Sequence, residues 1–385
     1  MNTAPTKKTT SKPAAKSTAK PVTKSASASS PRRAARHEKS INIALQGGGA
    51  HGAFTWGVLD RLFEDDRIWV EAISGTSAGA MNAVVAAQGM FDGGAEGARE
   101  SLRSFWRSVS EAASGSPYRR IPSAIMAGDW SLKASPSYVF FDLLSRMVSP
   151  YEMNPFDINP LRKLVGELID FEKVRACQDM HIFIAATNVE TGRVRVFSRD
   201  EMELDAVMAS ACLPSMFKAV EIDGVPYWDG GFMGNPPLFP FFHGSPSNDI
   251  VIVQINPVFR AGAPKTAKDI QNRLNEITFN GSLLHELRSI DFVTRLIEDG
   301  KLDPSEYKKM HLHIIQSRKR MRELDASSKL NAEWDFLQHL FEIGRDVAGK
   351  WLKAHFHDLG ERSSVDIRQM FTGVGVLPHH HADAV

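Results

Sequence analysis

The chain has 385 residues, 43% hydrophobic and 24% charged, with a formal net charge of +1, enough for one large core or two modest ones. That profile excludes a fibrous or disulfide-stapled protein, and no apolar run approaches the roughly 20 residues that span a bilayer, so any membrane contact is expected to be peripheral. Cys177 and Cys212 are the only cysteines and form no C-x-x-C pair, which fits a reducing compartment.

The near-zero charge hides an asymmetry. Residues 1–39 carry ten Lys or Arg against Glu38 alone, a net of +9, and the rest of the chain carries −8. This Lys/Ala/Ser/Pro-rich tail has almost no large apolar residue to offset its ordering entropy, so it is expected to be disordered. Its composition suits a solubilising tail or electrostatic attachment to nucleic acid or to an anionic lipid or granule surface. With no aromatics interleaved, it offers no specific nucleic-acid site. It lacks the apolar core of a secretory signal, and its prolines argue against an import helix. The expected location is cytoplasmic, peripheral to a membrane or granule, with export by a non-Sec machine left open.

From Ser40 the pattern changes to apolar segments separated by glycine turns. "INIALQ" reads as a strand buried on both faces, and "GAFTWGVLDRLFE" as a helix with Phe54, Val58, Leu59 and Leu62 at helical spacing. "WVEAISG" follows as a second strand and "SAGAMNAVVAAQGM" as a helix of small residues. Residues 96–150 read as a helical insertion or lid, in which Phe105, Trp106, Trp130, Phe140 and Phe141 could wall an acyl pocket or equally form core. "DMHIFIAATNVETGRVRVFS" predicts two strands around a turn at Glu190 to Gly192. A helix broken near Pro214 follows, then paired short strands in "VEIDGVPYWDGG", with Asp223 read as a turn acid. "DIVIVQINP" is another buried strand. Beyond it come a helix over 267–299, the strand "MHLHIIQ" and a last helix whose Trp334, Leu337, Phe341, Val347 and Trp351 share one face and read as core packing. His311 and His313 share a strand face, but no third ligand stands at suitable spacing, so no metal site is expected. His379, His380 and His381 read as a solvated tail.

Three glycine-bearing stretches carry the chemistry. Gly47, Gly49 and Gly52 satisfy G-x-G-x-x-G, which between a strand and a helix can cradle a dinucleotide or can aim bare amides at an oxyanion. The second strand lacks the terminal acid that would hold a ribose, which weakens the dinucleotide reading. Gly75-Thr76-Ser77-Ala78-Gly79 is a G-x-S-x-G nucleophile elbow between a predicted strand and helix. In an ordinary α/β-hydrolase that serine follows several strands, whereas Ser77 follows only one beyond the glycine loop. Asp229-Gly230-Gly231 places a carboxylate at a strand end.

In this order, Gly47 to Gly52, Gly75 to Gly79 and Asp229 to Gly231, the chain resembles the patatin-like phospholipase family over residues 41 to about 256. The resemblance implies a three-layer α/β/α fold with a mostly parallel central sheet, a catalytic domain over 40–260 and a mainly helical C-terminal extension over 261–385 packed on it. It implies a serine acyl hydrolase of lipid carboxylic esters, phospholipase A-like or lysophospholipase-like, working without cofactor or metal. Ser77 would be the nucleophile and Asp229 its base. Gly48 and Gly49, with Gly47 or Ala50, would form the oxyanion hole, supported by His51, Gly52, Gly75, Gly79, Gly230 and Gly231. One departure stands out: the family usually has Arg or Lys where His51 stands. His51 is therefore expected to order the loop by hydrogen bonding, its charge left open. The alternative from another class is a non-catalytic lipid-surface or granule-binding protein targeted by the basic tail.

Overall fold

The apolar runs that read as strands all enter one sheet. The protein's structure is a computed structural model and describes residues 37–145 and 147–373; nearly all of the basic tail and the His379 to His381 cluster lie outside the described residues. The strands are β1 (Lys39–Leu45), β2 (Ile68–Gly75), β3 (His181–Asn188), β4 (Val194–Ser198), β5 (Val220–Ile222), β6 (Val225–Asp229), β7 (Asp249–Gln254) and β8 (His311–Gln316). They lie in the order β5-β6-β3-β2-β1-β7-β8, with β4 also on β3. β3, β2, β1, β7 and β8 run parallel, and β4, β5 and β6 form an antiparallel edge. At the β5–β6 turn Asp223 and Gly224 both have positive φ, 53° and 76°, the conformation of a tight two-residue hairpin.

Side chains alternate across the sheet, so one strand feeds two cores. Ile41, Ile43, Leu45, Val251 and Val253 join the cluster on one face; Ala44, Ile250, Ile252, Leu312 and Ile314 join that on the other. The first face is covered by helices α1 (Gly52–Phe63), α2 (Ala78–Ala112), α4 (Leu204–Ser210) and α6 (Trp334–His355). The second is covered by α5 (Ala267–Glu298) through Leu283, Leu287 and Ile290. This is the expected α/β/α sandwich. The short helix α3 (Pro136–Leu144) belongs to neither layer and buries no residue.

Three boundaries differ from expectation. The helical stretch runs from Ala78 to Ala176 through α2, α3 and several short helices, because the small-residue helix continues past a bend at Gly93–Gly94 instead of stopping. α4 ends at Ser210, short of Pro214, and the chain leaves it through tighter i→i−3 bonds from the Ala211 and Cys212 amides to the Met208 and Ala209 carbonyls. The C-terminal region is no appendage: β8 pairs with β7 along its length, and α6 crosses α1 in backbone contact. A Cβ on Gly57 would lie 2.0 Å from the Phe341 carbonyl oxygen, and one on Gly344 would lie 2.1 Å from that of Phe54. Beside this crossing Trp56 stacks against Phe341 at 4.0 Å, and the buried Asp60 pairs with Arg345 and Arg99. Leu337 and Trp351 are buried, with Trp334, Phe341 and Val347 packed around them, as the core reading requires. At the amino ends of β7 and β8, His313 Nε2 and the Gly360 amide bind Asp249 at 3.0 and 2.9 Å, and His311 lies 3.6 Å from the same carboxylate.

Candidate active site

Because β1 and β2 are parallel neighbours, their carboxyl ends deliver Gly47 and Ser77 to the same edge of the sheet. The chain adds β2 on one side of β1 and β7 on the other, and such a reversal opens a crevice at the strand ends of α/β sheets. Ser77 occupies φ 55°, ψ −120°, a conformation that strains a residue with a Cβ by about 1–3 kcal/mol. Its surroundings hold it there: its amide donates to Ser210 Oγ at 2.9 Å and the Gly79 amide to the Thr76 carbonyl at 2.8 Å. Side chains at the flanking positions have no room, since a Cβ on Gly75 would sit 2.5 Å from the Gly79 carbonyl oxygen and one on Gly79 2.4 Å from that of Leu45.

The glycine loop forms a 3₁₀ turn, Gly49–His51, that leads into α1 at Gly52. Gly47 is pinned from both sides, its amide donating to Asn235 Oδ1 and its carbonyl accepting from Asn256 Nδ2, each at 2.7 Å. This corrects the sequence reading of Gly47 as an oxyanion donor: its N–H is already committed. The amides of Gly48, Gly49 and Ala50 donate to no described residue. Gly49 has φ 58°, and a Cβ there would lie 2.4 Å from the carbonyl oxygen of Lys329.

His51 is buried, and burial first, then Lys329 and Arg260, hold its pKa well below 6.5, so the imidazole is neutral. Its Nε2 lies 2.7 Å from Ser328 Oγ, and the Ser328 hydroxyl donates its own proton to the Asp325 carbonyl at 2.7 Å. Nε2 therefore carries the hydrogen and donates it to Ser328. The expected loop-ordering hydrogen bond exists, and its partner comes from a second 3₁₀ turn, Ala326–Leu330.

Asp229 ends β6, opposite Ala186 of β3, with its amide bound to the Cys212 carbonyl at 2.8 Å and its carbonyl to Thr187 Oγ1 at 2.9 Å. Gly230 packs against Ala185, where a Cβ would meet the carbonyl oxygen at 2.1 Å. Asp229 Oδ1 accepts from the Gly231 amide at 2.7 Å. Oδ2 is buried with no hydrogen-bond partner among the described residues. Burial pushes the Asp229 pKa up to about 7 against the opposing pull of the Gly231 amide, the nearby Ser77 hydroxyl and Lys329. The Ser77 hydroxyl is thus close enough to act on the carboxyl, although no hydrogen bond joins Oδ2 to a described residue.

Ser77, Asp229, Gly48, Gly49 and Ala50 face one cavity of about 720 Å³ whose wall includes Met81, Phe105, Trp106, Leu213 and Phe279. Of the five aromatics considered as a pocket wall, Phe105 and Trp106 line it. Trp130 instead stacks on Phe336 at 5.2 Å, Phe141 packs beside Tyr118 at 5.7 Å and Phe140 is 60% exposed. Sequence reasoning missed Ser210, Asn235, Asn256, Ser328 and Lys329. Asn235 sits in "GGFMGNPP" directly after the aspartate motif and Asn256 ends "DIVIVQIN" at the carboxyl end of a buried strand, a position that invites attention in α/β folds. Ser328 and Lys329 carry no local signal.

The family model for "Patatin-like phospholipase" matches residues 43–242, more than half of the chain, and no curated protein matches it. Among solved structures the chain is similar to VipD from Legionella pneumophila, at 15% identity, covering 83% of this chain and 67% of VipD with a TM-score of 0.40. It is also similar to the type III effector protein ExoU, at 14% identity, covering 83% of this chain and 54% of ExoU with a TM-score of 0.33, so the chain spans about half of that protein's length. The glycine loop, the elbow and the Asp229 turn all fall inside the matched residues, and the chain belongs to the patatin-like phospholipase family.

Proposed function

We propose that the protein is a serine acyl hydrolase that cleaves carboxylic esters of lipids through a Ser77–Asp229 dyad. The observation that carries this reading is the meeting, in one cavity, of a strained serine with a buried carboxylate oxygen and three amides that have no hydrogen-bond partner among the described residues. In the first half-reaction Ser77 Oγ attacks the ester carbonyl while its proton passes to Asp229 Oδ2. The amides of Gly48, Gly49 and Ala50 bind the tetrahedral oxyanion, each such donor being worth about 2.7–4 kcal/mol. The intermediate collapses to an acyl-enzyme as Asp229 returns the proton to the departing alcohol. A water, deprotonated by Asp229, then attacks the acyl-enzyme, and the collapse of that second intermediate returns a proton to Ser77 and releases the fatty acid. The amino end of α2, which begins at Ala78, favours negative charge at the same place.

The lipid class is supported by the apolar wall of the cavity and by its rim. α3 leaves Phe140 and Leu143 60% and 58% exposed beside Asp142, which lines the cavity, and α5 leaves Leu274 and Ile277 exposed on the helix that contributes Gln271 and Asn275 to it. Such a rim suits peripheral contact with a lipid surface; no helix among the described residues is long and apolar enough to cross a membrane. A non-catalytic lipid-surface protein would use the same rim, so turnover separates the two readings. The test is hydrolysis of a short-chain chromogenic ester and a phospholipid panel by wild type, Ser77→Ala and Asp229→Asn. Turnover lost in both variants is the expected result, and turnover surviving in Ser77→Ala refutes the assignment.

A further inference from the structure

Among the described residues, the one cationic side chain facing the cavity beside Ser77 and Asp229 is Lys329, and it comes from a part of the chain beyond the family match. The half-buried Lys329 sits in the Ala326–Leu330 turn, and its carbonyl closes over Gly49. Nζ donates to Asn256 Oδ1 at 2.8 Å. Asn256 in turn holds the Gly47 carbonyl and, with its backbone amide, Gln46 Oε1 at 2.9 Å. The ammonium is thereby tied to the glycine loop through one intermediary.

A cation drawn out of water needs compensation, and Lys329 makes no ion pair with any described residue within 4 Å. Of the anions around it, Glu276 is already taken by Arg260 at 2.7 Å and Arg273 at 3.0 Å. The other charged neighbour is Arg260, and His51 is neutral. Asp229 faces Lys329, the Ser77 hydroxyl and the buried Cys212 thiol, and no other charged group among the described residues acts on it. Lys329 and Asp229 face the same cavity and each acts on the charge of the other, with no ion pair between them within 4 Å. A direct salt bridge would occupy Oδ2 and keep it from Ser77; charge balance at a distance leaves that oxygen open.

We propose that Lys329 is a positioning residue whose ammonium balances the Asp229 carboxylate, so that the Ser77–Asp229 pair is competent at neutral pH. This rests on the reading of Asp229 as the base. The measured quantities are the titration of the Asp229 carboxyl by ¹³C NMR, assigned by its absence in Asp229→Asn, and the pH profile of kcat/KM on a neutral short-chain ester that has no phosphate. Lys329→Gln, which keeps a donor for Asn256, and Lys329→Met remove the charge; Lys329→Arg keeps it. In the uncharged variants the Asp229 midpoint and the acid limb of kcat/KM should rise together by about one pH unit, a loss of about fivefold at pH 7 that narrows in alkali. Lys329→Arg should stay close to wild type. An unmoved Asp229 midpoint in both folded uncharged variants overturns the proposal. So does a loss confined to phosphate-bearing lipids, which would make Lys329 a headgroup ligand. If wild type hydrolyses no ester, the dyad reading fails, while the carboxyl titration still decides what Lys329 does.

Discussion

The Asp229 carboxylate is expected to make the folded protein less stable than it need be, and the size of the effect follows from its burial. Asp229 is 1% exposed, and its pKa is raised from 3.8 to about 7. Between those values the folded protein keeps a proton that the unfolded chain has released, so stability falls as pH rises through this window and levels off above about 7. At about 1.36 kcal/mol per pH unit, the interval corresponds to roughly 4 kcal/mol, an upper figure because relaxation and water entry soften burial. Asp229→Asn keeps an oxygen for the Gly231 amide and removes the ionisation. The variant should lose turnover and yet become more stable relative to wild type as pH rises, by about 1 kcal/mol at pH 4.5 and by up to about 4 kcal/mol at pH 8. Urea unfolding of both proteins at pH 4.5, 6 and 8 measures this, and groups such as Asp249, whose own pKa is held far below the usual carboxylate range, cancel in the difference. A gap that does not change with pH, or an Asp229→Asn protein less stable than wild type at pH 8, would refute the claim that the carboxyl is kept dry for chemistry at the expense of stability.

Three further outcomes follow from the same geometry. Ser328→Ala leaves the Nε2–H of neutral His51 buried without an acceptor and should cost about 1–3 kcal/mol in urea unfolding, with a lower kcat on the short-chain ester as the glycine loop loosens. Gly344→Ala places a methyl 2.1 Å from the Phe54 carbonyl oxygen, so α1 and α6 must separate; a loss of about 1–3 kcal/mol or more is expected in thermal or urea melts. Burial pushes the Cys212 thiol up to about 12 and raises that of Cys177, so neither should react with a disulfide reagent at pH 8 until denaturant is added, whereupon two equivalents should appear.

What could be read in the sequence was what chemistry compresses into a few consecutive residues. The glycine loop, the Ser77 elbow and the Asp229 turn each need small residues at fixed offsets around one functional atom, so each is visible locally, and the strands of a parallel sheet announce themselves as uninterrupted aliphatic runs. The atoms that hold these pieces in place are not local. Asn235 reaches Gly47 from 188 residues away, Asn256 from 209, and Ser328 reaches His51 from 277. Each partnership exists only once β1 lies between β2 and β7, an order that no window of the sequence reveals. Gly47 is one such case. An amide at the end of a glycine loop looks available until the side chain that takes it arrives from another strand. His51 illustrates the reverse case, since a histidine where a cation is usual reads as a deficit until Lys329 and Ser328 are found beside it.

The C-terminal third should therefore be indispensable, although the family match ends at residue 242. A chain truncated after residue 260 would lose β8 and present β7 as an exposed edge, with Ile250 and Ile252, both fully buried in the intact protein, open to pairing with another copy. It would lose α6, uncovering the Gly57 surface of α1 and leaving Asp60 without Arg345. It would also lose the 3₁₀ turn that is clamped between the glycine loop and the segment before α3. In that turn Ser327 Oγ accepts from the Leu132 amide at 2.9 Å, and nearby Asn331 Nδ2 donates to the Trp130 carbonyl at 3.0 Å. Each loss removes buried apolar area or strands a buried polar group, and a folded domain typically has only about 5–15 kcal/mol of net stability to set against them. The truncated protein should accumulate as aggregate, whereas the full chain gives a cooperative melt. A soluble fragment 1–260 that melts cooperatively and hydrolyses the short-chain ester at the wild-type rate would show that the β7 edge, the α1 surface and the His51 contact are dispensable, and with them the integration of the C-terminal region into the candidate site.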